Sequence, residues 1–231
     1  MGTEINHNKI INQAARSVLK KNGLFQKGSS RMWIDDNGWF LIVVEFQPSN
    51  WDKGSYLNVS IHYLWQMQDY ISFDFGHREN DFVAFSGDEE QFYADMVRLA
   101  NKALEKVIEY RRFREIEYAK KQILHRNGFA SASHELYNKM MILGLAKDLH
   151  AKKYCTALLK ETEYAEDGAD DTAAAPLAYD VEYRRELVEE ILPLIDNPLA
   201  FEQYIKSKIR KQREFWHAKA SMKKLSVEEE L

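Results

Sequence analysis

A single cysteine among 231 residues, Cys155, leaves no partner for an internal disulfide. The fold must therefore hold through its apolar core, and a cytoplasmic location is expected. Proline numbers four and glycine ten, which excludes collagen-like and low-complexity architectures. No apolar run approaches the roughly 20 residues that a membrane-spanning helix needs. The opening MGTEINHNKIINQAARS has no apolar segment of the kind a secretion signal carries. Neither sign of charge dominates: 32 Lys and Arg face 36 Asp and Glu, for a formal net charge of −4. Such a chain projects no broad basic field toward nucleic acid or an anionic membrane.

Chemical motifs are missing as well. There is no glycine-rich phosphate loop and no nucleophile elbow. None of the seven histidines stands at helical metal-ligand spacing from another, and His134-Glu135 lacks the second histidine of a metalloprotease helix. No cofactor and no metal are expected. Cys155 lies among Tyr154, Ala157 and Leu158 in a helical pattern, which reads as a buried thiol rather than a nucleophile.

What the chain does contain is 45% hydrophobic and 13% aromatic residues, and much of that material alternates with a period of two. Asn37-Gly38, preceded by Asp35-Asp36, separates two apolar runs and predicts a tight primed hairpin turn. Residues 30–35 and 38–47 should then pair as antiparallel strands. Along the second of them Phe40, Ile42, Val44 and Phe46 share one face, and Trp39, Leu41, Val43 and Glu45 the other. Pro48 and the 49–54 stretch read as a loop. A third strand is predicted over 56–63 and a fourth over 70–75. The all-apolar sets belong in the core. The second face gathers Arg31, Trp33, Trp39, Glu45, Tyr56, Asn58, Ser60, His62, Tyr70 and Asp74.

Helical periodicity predicts a first helix over 4–22, stopped at Asn22-Gly23, and a second opened by the capping box Ser86-Gly87-Asp88-Glu89. These two would cover the core side of the sheet and complete an α+β domain over 1–110. Residues 111–231 read as an all-α extension packed on that domain. It has helical segments to about Arg126, from Ser131 to about Tyr164 with a break near 144–149, from Asp180 to Leu192, and from Asn197-Pro198 to about Ala220. The acidic 161–171 stretch reads as a loop. The fold class is therefore α+β, a four-stranded antiparallel meander flanked by helices.

Three segments resemble the domain-of-unknown-function 4304 family. They are Lys20-Lys21-Asn22-Gly23-Leu24-Phe25-Gln26-Lys27-Gly28, Phe46-Gln47-Pro48-Ser49-Asn50-Trp51, and Tyr56-Leu57-Asn58-Val59. Leu24 intrudes between Gly23 and Phe25, and Pro48 replaces a basic residue usual in the family. Gly76-His77-Arg78 stands where the family often carries an arginine pair. The resemblance covers about residues 5–110 and implies a helix, a four-stranded meander and a helix; it implies no activity.

The functional expectation is a non-catalytic binding or interaction module. Its partner would be a protein or a small-molecule ligand, met by the polar-aromatic sheet face and the 48–54 loop. The candidate binding residues are Arg31, Trp33, Trp39, Glu45, Gln47, Ser49, Trp51, Tyr56, Asn58 and His62. One alternative is an enzyme with a site between the sheet and the C-terminal helices, although meander geometry keeps Glu45 away from His62. Another is a weak nucleic-acid binder using Lys206, Lys208, Arg210, Lys211 and Arg213, five cations within eight residues.

Overall fold

The structure, a computed structural model, describes residues 6–79, 82–127, 131–167, 186 and 188–227. The chain divides into two compact units. One comprises the residues up to Arg112 together with those from Ile209 onward; the other comprises Phe113–Lys208. The sequence division at residue 110 placed the last segment with the helices, whereas in the structure it folds with the sheet.

The first unit is α+β. Helix α1 (His7–Leu19) begins at Asn6, whose side chain accepts from the Asn8 N–H, and buries Ile10, Ile11, Ala14, Ala15 and Leu19. The sheet is antiparallel, with β1 (Phe25–Gln26), β2 (Met32–Asp36), β3 (Phe40–Gln47), β4 (Gly54–Tyr63) and β5 (Phe75–Arg78) in that spatial order; β6 (Val83–Ala84) also pairs with β4. Helix α2 (Glu89–Tyr110) buries Phe92, Met96, Leu99, Ala103 and Val107. Its cap is Asp88, whose carboxylate accepts from the Gln91 N–H at 3.0 Å, so the capping residue lies two positions after the expected Ser86.

The pairing Val44↔Val59, Ile42↔Ile61 and Phe40↔Tyr63 assembles one apolar face. Every one of these side chains is buried, and that removal of apolar surface from water stabilises the unit. Two expectations about the strands change. Among residues 37 and 38 only Gly38 has positive φ, at 77°, and Asp36 pairs with Leu41, so the connection is not the two-residue primed turn. The fourth strand runs over 75–78 rather than 70–75. Ser72 and Asp74 spend their side chains on His62 and on the Tyr63 N–H, and such local bonds compete with ladder pairing. Gly76 then enters the ladder opposite Ser60 at φ 109°, where a Cβ would collide with the Val59 carbonyl oxygen.

The second unit is helical among its described residues. It contains α3 (Ile116–His125), α4 (Ala132–Leu145) and α5 (Ala151–Asp167). Helix α6 (Pro198–Ala218) begins in this unit and carries its last ten residues into the first. Asn197 caps it by accepting from the Ala200 N–H at 3.1 Å. The acidic stretch from Glu161 is helical through Asp167; its remainder and the Asp180 cap lie outside the described residues. Cys155 is fully buried, and burial pushes its thiol up to about 11, so it stays protonated and unreactive at neutral pH. No helix among the described residues is long and apolar enough to cross a membrane.

Candidate functional site

The register decides what the second face contains. Met32 pairs with Glu45, and Trp33 with Val44. Partners directly opposite each other share a face, so Trp33 belongs with the apolar core side, where it is 1% exposed. Arg31 follows it: the Phe46 N–H donates to the Arg31 carbonyl at 3.0 Å, and the guanidinium donates to the Gly54 carbonyl at 3.1 Å. Both residues were expected on the second face, and a shift of one in the β2 phase moves them off it. Trp39 lies before β3 and stacks on Trp65 at 5.0 Å and on Tyr63 at 5.8 Å, in a buried aromatic cluster.

The remaining second face has two halves. The half built from Asp36, Leu41, Val43, Ser60 and His62 is covered by the end of α6. Arg213, 1% exposed, grips Asp36 through two bonds of 2.7 Å and also donates to the Gly38 carbonyl at 2.6 Å and the Ser226 carbonyl at 2.8 Å. Trp216 meets the His62 ring edge-on at 6.4 Å. Gln212 donates to the Gln68 carbonyl at 2.6 Å.

Beneath this cover lies a polar cluster. His62 Nδ1 is 2.9 Å from Ser72 Oγ and 3.5 Å from Asp74 Oδ2, while Ser72 Oγ donates to Asp74 Oδ1 at 2.8 Å. Serine, histidine and aspartate invite comparison with a hydrolase triad, but the geometry differs. A triad histidine receives its nucleophile on one ring nitrogen and its carboxylate on the other. Here both partners crowd Nδ1, and the ring is 0% exposed. The cluster fastens the 68–74 segment to β4.

The other half stays open. Asn58 Nδ2 donates to Glu45 Oε2 and to Gln47 Oε1, each at 2.9 Å. Arg78, from β5, donates to Gln47 Oε1 at 2.6 Å and lies over the Tyr56 ring at 4.0 Å. Phe82 tilts against the same ring at 5.0 Å. Glu45, Gln47 and Tyr56 are half-buried and Arg78 is exposed. Arg78 makes no ion pair among the described residues, because both its oxygen partners belong to amide side chains. Ser49 and Trp51 are not part of this group. Ser49 Oγ accepts from the Trp51 N–H at 3.1 Å, and Trp51 is 91% exposed.

Of the predicted site residues, the structure thus brings together Glu45, Gln47, Tyr56 and Asn58. It places His62 under α6, and Arg31, Trp33 and Trp39 elsewhere. The residue missed from the candidate set is Arg78; the signal that could have found it is its place one strand over from Asn58, which needs the position of β5. Among the described residues no three His, Cys, Asp or Glu side chains converge to hold a metal ion.

Comparisons with protein-family models, with curated proteins and with solved structures find no match. Functional argument for this chain therefore rests on its own side chains.

Proposed function

We propose that the chain is a non-catalytic binding module whose recognition surface is the open half of the second sheet face. The observation that carries this reading is the Arg78 guanidinium, 4.0 Å above the Tyr56 ring centre and steered by Gln47, at the surface and without a carboxylate partner among the described residues. A positioned guanidinium with unused N–H groups suits a carboxylate or amide oxygen on a partner. The Tyr56 ring beside it supplies apolar contact area, a pairing common at recognition surfaces. The catalytic alternative draws less support, since the Ser72–His62–Asp74 cluster is sealed.

The nucleic-acid reading loses most of its footprint. Arg213 is interred on Asp36, Lys206 pairs with Glu202 at 3.1 Å and Lys208 with Glu190 at 3.2 Å. Only Arg210 and Lys211 of that set remain as exposed side chains. A reducing compartment, the cytoplasm, suits a protein whose single thiol is unpaired and buried.

The test is native-mass measurement of the protein purified from its own host, with and without Arg78→Glu. The expected outcome is a bound species in the parent that the variant loses, with the melting temperature within a few degrees. Purification of both forms free of any bound species would end the reading.

A further inference from the structure

A cavity of about 380 Å³ opens at the β1 edge of the sheet unit, remote from the open face in its lining. Four of the side chains that line it are cationic: Arg16 and Lys20 from the end of α1 and the turn after it, and Lys223 and Lys224 from the segment that follows α6. No acidic residue among the described ones lines it. Several cations elsewhere are matched with acids: Lys106 with Glu109, Lys120 with Glu117 and Asp148, Lys152 with Asp196, Arg111 with Asp35. At this cavity none of the four has a carboxylate partner among the described residues. In a chain of net charge −4, an unbalanced concentration of positive charge around a concave site is a local exception that raises the affinity for anions.

The fold positions this charge. Gln26 donates to the Ser30 carbonyl at 2.6 Å, and its Oε1 accepts from Arg16 at 2.9 Å. The guanidinium is thereby oriented while its other N–H groups stay unused. Gly28, at φ 58°, donates its N–H to the Ser221 carbonyl at 3.2 Å. A Cβ on Gly28 would lie 3.2 Å from Ser221 Cβ, so glycine lets the 220–224 segment approach and deliver Lys223 and Lys224. Leu24 and Trp33, both buried, form apolar wall.

We infer that this cavity is a binding site for a small phosphorylated molecule. The cations and the Arg16 fork match phosphate oxygens. The volume lies within the range of small-ligand sites, about 300–1,000 Å³, and the buried Leu24 and Trp33 side chains back the cavity. This inference is independent of the recognition surface at Arg78.

Inorganic pyrophosphate is a suitable probe, titrated calorimetrically at low ionic strength into the full chain. Saturable binding is expected. It should weaken at least tenfold in the double variant Arg16→Gln/Lys223→Gln and stay within twofold in Lys9→Gln/Lys121→Gln, which removes two exposed cations elsewhere. The indole resonance of Trp33, assigned with Trp33→Phe, should shift on binding. Absence of saturable binding, or equal weakening in both double variants, would overturn the inference. Both double variants change exposed side chains, and a melting temperature within a few degrees of the parent certifies that each is folded.

Discussion

The two halves of the second sheet face share the same strands yet meet different fates. Toward Asp36 and His62 the face is closed by Arg213 and Trp216; toward Asn58 and Gln47 it carries a comparable mixture of amide, charge and aromatic ring and stays open. Composition alone does not separate them. What separates them is whether a distant segment brings complementary groups. A bidentate guanidinium reaching across 177 residues of sequence satisfies Asp36, whereas the Glu45–Asn58–Gln47–Arg78 network satisfies only itself.

Breaking the covered half should have the largest effect. Arg213→Ala strips Asp36 of its charge partner, leaving it the Gly38 and Ser226 N–H groups, and should destabilise the protein by about 3–5 kcal/mol in urea unfolding. The double variant Arg213→Met/Asp36→Leu should recover much of that loss, because replacing a buried pair by apolar groups is often neutral. Trp39→Ala, which empties the aromatic cluster beside this half, should cost a similar 3–5 kcal/mol or so. Should Trp39→Ala prove as mild as an exposed substitution, the stacked cluster is wrongly described.

Gly76→Ala sharpens the role of β5. The positive φ and the Val59 carbonyl leave no room for a methyl group, and a cost of about 1–3 kcal/mol is expected. On the open half, Tyr56→Ala and Arg78→Ala should cost less, within about 1 kcal/mol each as most surface changes do, while removing bound material in native-mass measurement. That contrast between stability and binding is what distinguishes the halves experimentally.

The smallest expected effect is on pH dependence. Burial, then the nearby Arg31 and Lys53 charges, hold the His7 imidazole below its ordinary value. Its Nε2 lies 3.1 Å from the Arg31 guanidinium, a contact that suits the neutral ring. The unfolded chain thus binds a proton more readily than the folded one, so stability rises with pH through this window. It is lost as pH falls below the unperturbed imidazole value of about 6.5. His7→Gln should flatten that slope; an unchanged slope would show that His7 contributes nothing to it.

Much of the architecture was legible in the sequence. The alternation over 40–47 and 56–63 correctly sorted Ile42, Val44, Val59 and Ile61 from Glu45, Asn58 and His62, because facing within a strand follows from its own two-residue period. The helix start at Asn197 was legible for a similarly local reason: a short polar side chain bonds an N–H three residues on; the first helix, expected from residue 4, begins at His7 after Asn6. The candidate site was legible only in part. Glu45, Gln47, Tyr56 and Asn58 lie on two adjacent strands, so their meeting needed only the meander. Arg31 and Trp33 were misplaced because the phase of β2 against β3 depends on how many residues the 37–40 connection uses.

The amino-acid order by itself determined which side chains share a pleat within a strand and where α6 begins, since both are settled by neighbours a few bonds away. Only the tertiary structure decided which half of the second face is covered and that residues 209–227 return to the sheet. Those outcomes depend on Arg213 finding Asp36 and Gln212 finding Gln68, pairings between residues far apart in the chain that no local period encodes.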